Sequence, residues 1–108
     1  MNDPRKLHLP DEYYSLGPHP VRYRVVRRTE KDITVSREGG QIVRIPVDLL
    51  LRCCDSIKDA PDQALPMQQI IKDLAENIRY GESIIAATLV ASGLAEVVCK
   101  RPVTLKAV

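Results

Sequence analysis

The side chains here that could do covalent or metal chemistry are three cysteines, Cys53, Cys54 and Cys99, and two histidines, His8 and His19. No C-x-x-C pair is present and both histidines lie far from the cysteines in sequence, so the paired ligands of a structural zinc site are not assembled. On a helix, Cys53 and Cys54 would point about 100° apart, and no local cluster of positive charge would lower a thiol pKa. They read as small hydrophobes in a reducing compartment. The stretches "PDEYY" and "PHP" bring carboxylates, tyrosines and histidine near one another, but no base stands oriented by a third group. "REGGQ" is too short to cradle a phosphate and is explained as hairpin chemistry. The chain is therefore read as non-enzymatic, with no catalytic residue, no metal site and no cofactor.

Arginine is where the chemistry concentrates. Residues 21 to 46 carry seven cations (Arg22, Arg24, Arg27, Arg28, Lys31, Arg37, Arg44) against three carboxylates, a surplus of four. Residues 47 to 108 carry seven cations against eight carboxylates, so the positive field belongs to the first half. Clustered guanidinium groups are what binding to a phosphate backbone requires. The same pattern also serves as a solvated face that discourages edge-to-edge sheet pairing. The total charge of only +2 leaves both readings open.

The elements that must position these arginines follow from periodicity. With 108 residues, 44% apolar and 28% charged, the chain matches one α+β domain with an aliphatic core, since Trp and Phe are absent. Residues 1 to 20 hold Pro4, Pro10, Pro18 and Pro20 and read as an irregular arm packing through Leu7, Leu9, Tyr13, Tyr14 and Leu16. "VRYRVVRR", "ITVSR" and "QIVRIPV" alternate with period two and are separated by "TEKD" and "EGG", which predicts a three-stranded antiparallel meander over 21–46. Val21, Tyr23 and Val25 fall on one face, Arg22 and Arg24 on the other.

Beyond Pro46 the spacing becomes helical. Leu49, Leu50, Cys53, Cys54 and Ile57 make one stripe, and Met67, Ile70, Ile71, Leu74 and Ile78 a second. Pro46 suits a first helical turn, Ser83 a helix cap, and Gly93 a left-handed terminator of a third helix. The apolar run "SIIAATLVASGLA" is too short for the roughly 18 to 20 residues of a membrane span, and the N-terminal stretch lacks the apolar segment of a secretory signal. A cytoplasmic location without membrane contact is expected. "AEVVC" and "VTLKAV" predict a C-terminal β-hairpin around "KRP".

This order of helix, helix, short turn, helix, Gly-Leu, strand, turn, strand, with "LVASGLAEVVCKRPVTLKAV" at its end, resembles a winged helix-turn-helix over residues 47–108. The resemblance implies a third helix that enters the major groove and a wing that meets phosphates. In this sequence the third helix offers Glu82, Ser83, Thr88 and Ser92 but no Lys or Arg, so the matching phosphate contacts are Arg79, Lys100 and Arg101.

Two functions compete. The first is a small regulatory or accessory protein that holds DNA or RNA mainly by phosphate contacts from Arg22, Arg24, Arg28, Arg44, Arg79, Lys100 and Arg101. The alternative is a protein-interaction module or homodimer that docks through Ile84, Ile85, Leu89 and Val90 of the third helix, which is apolar over more than one side.

Overall fold

The computed structural model describes residues 9–17, 19–74, 81–100 and 103–108. Strands β1 (Glu12–Tyr14), β2 (Arg22–Arg28), β3 (Asp32–Arg37) and β4 (Ile42–Pro46) form an antiparallel sheet in the order β1-β2-β3-β4. The meander therefore has four strands and not three. The extra one comes from the arm, where three residues pair with β2 in the register Glu12↔Arg24, Tyr13↔Tyr23, Tyr14↔Arg22. A strand this short is invisible to a periodicity argument and forms because Tyr13 can bury its ring, 5.4 Å from that of Tyr23.

The two hairpin turns follow the turn residues. The Thr29 hydroxyl accepts the amides of Lys31 (3.1 Å) and Asp32 (3.0 Å) between β2 and β3. Between β3 and β4, Gly39 and Gly40 take φ of +102° and +96°, a left-handed pair that other residues adopt only with strain.

Helix α1 (Val47–Asp59) starts without a loop. Pro46 is its N-cap as well as the last residue of β4, so the proline stands one position before the first helical turn. The amide of Val47 still reaches Lys31 O at 2.9 Å, extending the β3–β4 ladder into the helix start. The helix buries Val47, Leu49, Leu50, Cys53, Cys54 and Ile57, the expected stripe with Val47 added. A 3-10 turn (Pro61–Gln63), with Asp62 and Gln63 both at positive φ, redirects the chain into β5 (Ala64–Pro66).

Helix α2 (Met67–Leu74) buries Met67 and Ile70, while the side chains of Ile71 and Leu74, and all of Ile78, lie outside what is described. Helix α3 (Gly81–Ala91) begins at Gly81, so Ser83 sits inside its first turn and not at the cap. It ends in a Schellman motif at Gly93 (φ +78°), where Leu94 N donates to Leu89 O and Gly93 N to Val90 O. Strands β6 (Ala95–Lys100) and β7 (Val103–Ala107) form the expected hairpin. The short β5 adds to it, giving a second sheet in the order β5-β7-β6.

The core is a single cluster between the two sheets and the helices. Tyr13, Tyr23, Ile33, Val35, Val43 and Ile45 supply the inner face of the first sheet, and α1 and α3 pack on it. Among the described residues no helix is long and apolar enough to cross a membrane.

Candidate nucleic-acid interface

The face of the first sheet turned away from the core carries four of the basic side chains, Arg22, Arg24, Arg27 and Arg44. Alternation from the buried Tyr13, Tyr23, Ile33, Val35, Val43 and Ile45 puts their neighbours outside. The register then lines up three outward rows: Tyr14–Arg22, Glu12–Arg24–Ser36–Ile42, and Arg27–Thr34–Arg44.

A β-bulge between Val25 and Arg27 decides the third row. Strict alternation from Arg22 and Arg24 would carry Val26 to the outer face and Arg27 inward. The extra residue shifts the phase, so that Arg27 lies opposite Thr34 and Arg28 opposite Ile33. Arg27 thereby joins Arg44 across Thr34, a placement that period-two reading misses.

Arg28 is turned to a different task. Its guanidinium donates to Leu9 O and to Asp11 Oδ1, both at 2.7 Å, and so fastens the arm ahead of β1. Arg28 is a structural tie rather than an outward cation.

The arm also brings negative charge. Arg24 donates through Nε (3.2 Å) and Nη2 (3.0 Å) to Glu12 Oε1, and Arg44 Nε lies 3.6 Å from Asp32 Oδ2. Over residues 11–46, which add Asp11 and Glu12, five carboxylates stand against seven cations, a surplus of two. The Arg24–Glu12 pair is exposed on both sides, a class worth only roughly 0 to 1 kcal/mol, so a phosphate can displace that carboxylate at small cost, whereas Asp32 opposite Arg44 is half-buried. Arg22 and Arg27 make no side-chain hydrogen bond or ion pair with another described residue.

At one end of this face a shallow cleft of about 230 Å³ is lined by Arg22, Arg24, Ser36, Arg37, Glu38, Gly39 and Gly40. Glu38 Oε2 accepts the backbone amide of Arg22 at 3.2 Å, which holds the carboxylate at the cleft's rim. Beneath, the buried Tyr23 hydroxyl faces Arg37 without closing a well-aligned hydrogen bond, and burial raises its pKa while the guanidinium opposes the shift.

Of the other expected phosphate contacts, Arg79 and Arg101 lie outside the described residues, and Lys100 ends β6 with its side chain outside the description. The expected partner surface is not a surface. Ile84, Ile85 and Leu89 are fully buried and Val90 is half-buried, because α3 is enclosed by β1, by α1 and α2, and by β6. A hydroxyl chain locks the β1 side: Thr88 Oγ1 donates to Ile84 O (2.6 Å), leaving it to accept the Tyr13 hydroxyl at 2.7 Å. Among the described α3 side chains only Ser83 is exposed.

The thiols are no nearer to chemistry. Burial pushes the Cys53 thiol up to about 11 and raises that of Cys54, whose Sγ lies 3.8 Å from Leu94 O. Among the described residues no group of three or more His, Cys, Asp or Glu gathers as a metal site. Comparison with known proteins finds no matching family model, no similar curated protein and no similar solved structure.

Proposed function

We propose that this chain is a small, non-enzymatic nucleic-acid-associated protein that binds phosphates on the outer face of its four-stranded sheet. The observation that carries the reading is the convergence of Arg22, Arg24, Arg27 and Arg44 on one exposed face, two of them without a side-chain partner among the described residues. A rigid sheet fixes where the arginine stems begin, and the planar donors of the guanidinium groups suit phosphate oxygens.

The helix order, the Gly93 exit and the hairpin after α3 support the winged-helix resemblance. Major-groove reading by the third helix draws no support, since its apolar positions are core and its first-sheet side is capped by Tyr13. The same burial removes the surface on which docking through α3 would depend. A cytoplasmic location accords with three cysteines of which none forms a disulfide.

Fluorescence anisotropy with labelled oligonucleotides at graded salt tests the reading. Four arginines on phosphates give a log–log salt slope of about −3 to −4, and each arginine lost removes about one unit. Replacing Arg22, Arg27 and Arg44 together by alanine should therefore nearly flatten the slope while the circular dichroism spectrum stays unchanged. Absence of binding at low salt, or a slope indifferent to the triple replacement, would refute the proposal.

A further inference from the structure

We infer that this face takes a single strand in preference to a duplex, with an unpaired base stacked on Tyr14 and the adjoining phosphate on Arg22. This deepens the phosphate-binding reading and rests on it.

Tyr14 is 56% exposed although its neighbour Tyr13 is buried, because β1 alternates and turns the second ring outward. Its cross-strand partner is Arg22. The amides of Val25 and Ser15 donate to Asp11 O and Val21 O, so the hydrogen-bonded pairs of β1 and β2 are the odd-numbered residues. Tyr14 and Arg22 then form a non-hydrogen-bonded pair, the kind in which side chains stand closest. An exposed aromatic ring and a cation without a side-chain partner among the described residues thus lie side by side at the open edge of the sheet.

The rest of the face continues the platform. Ile42, 67% exposed, stands on the far edge strand in the row of Arg24 and Ser36. With strands about 4.8 Å apart, β1 to β4 spans about 14 Å, a shelf with an apolar group on each edge strand and cations between them. A duplex presents mainly phosphates to such a shelf, since its bases are stacked on one another and paired. A single strand offers phosphates to the arginines and open base faces to Tyr14 and Ile42. Only the second ligand uses the exposed apolar groups as well as the cations.

The shared chemistry is a phosphodiester strand with unpaired bases, in either DNA or RNA. The test uses the full chain with labelled oligo(dU), oligo(U) and a mixed-sequence duplex, each about 15 nucleotides long. The single strands should bind more tightly than the duplex, and the tighter of oligo(dU) and oligo(U), which differ only in the sugar, identifies the preferred one. Tyr14→Ala should weaken single-strand binding by about ten-fold, leave duplex binding unchanged, and be rescued by Tyr14→Phe, which keeps the ring. Tyr14 is exposed, so a thermal melt matching the parent protein will show that these variants are folded. Equal affinity for single strand and duplex, or indifference to Tyr14→Ala, would overturn the stacking inference while leaving phosphate binding intact. No binding of any oligonucleotide at low salt would overturn both.

Discussion

Replacing Tyr13 by phenylalanine tests the joint that puts the arm on the sheet. The hydroxyl is buried and donates to Thr88 Oγ1 at 2.7 Å, while Thr88 keeps its own donation to Ile84 O at 2.6 Å. Removing it strands no donor, because Thr88 loses only an incoming bond. The cost at neutral pH is therefore that of one net hydrogen bond, about 1 kcal/mol. A second consequence appears only at high pH. Burial, above all, pushes the Tyr13 hydroxyl up to about 12 from the ordinary 10.0. Below the unfolded value both states hold the proton and the contribution is complete. Between the two values the unfolded chain releases its proton while the folded chain keeps it, so stability falls as pH rises, by about 2 to 3 kcal/mol in total.

Phenylalanine has no proton to lose, and the variant lacks this slope. The parent protein should thus be the more stable at neutral pH and the less stable at the alkaline end, with the curves crossing near roughly pH 11. Urea titrations followed by far-ultraviolet circular dichroism, on both proteins across the alkaline range, measure the difference directly. A difference that stays flat with pH would mean that Tyr13 is hydrated in solution, and β1 would then not be docked on α3.

Alkylation at mildly alkaline pH should modify the exposed Cys99 first, while the buried Cys53, with its thiol pushed up to about 11, reacts only on unfolding; peptide mass mapping reads this, and early labelling of Cys53 would contradict it. Gly93→Ala meets no neighbour within 4 Å but must hold φ near +78°, so the urea midpoint should fall by an amount equivalent to about 1 kcal/mol; an unchanged midpoint would remove the left-handed cap. Arg28→Ala should speed proteolysis ahead of β1 and leave the salt slope of oligonucleotide binding intact, because its guanidinium is spent on Leu9 O and Asp11. A changed slope would return Arg28 to the binding face.

Much of the fold was legible in local pattern. Alternation in "VRYRVVRR" and "ITVSR" assigned the strands and put Arg22 and Arg24 opposite Tyr23, and the stripe from Leu49 to Ile57 marked the buried side of α1. Gly93 signalled the end of α3 because a left-handed residue is a local backbone requirement that glycine meets without strain. Strands β1 and β5, three residues each, escaped because neither is long enough to show a period.

For the candidate site, the chain's own pattern determined that arginine would gather on one side of a sheet in the first half, since strand alternation and net charge are properties of neighbours in sequence. Which arginines remain available was decided only by tertiary structure. A single bulge exchanged Arg27 for Arg28, and an arm strand set Glu12 on Arg24 and Tyr14 beside Arg22. The role of α3 was decided in the same way: an apolar helix can face solvent, a partner or a core, and here packing from β1, α1, α2 and β6 made it core. Pairing and burial depend on groups far apart along the chain, which local periodicity cannot bring together.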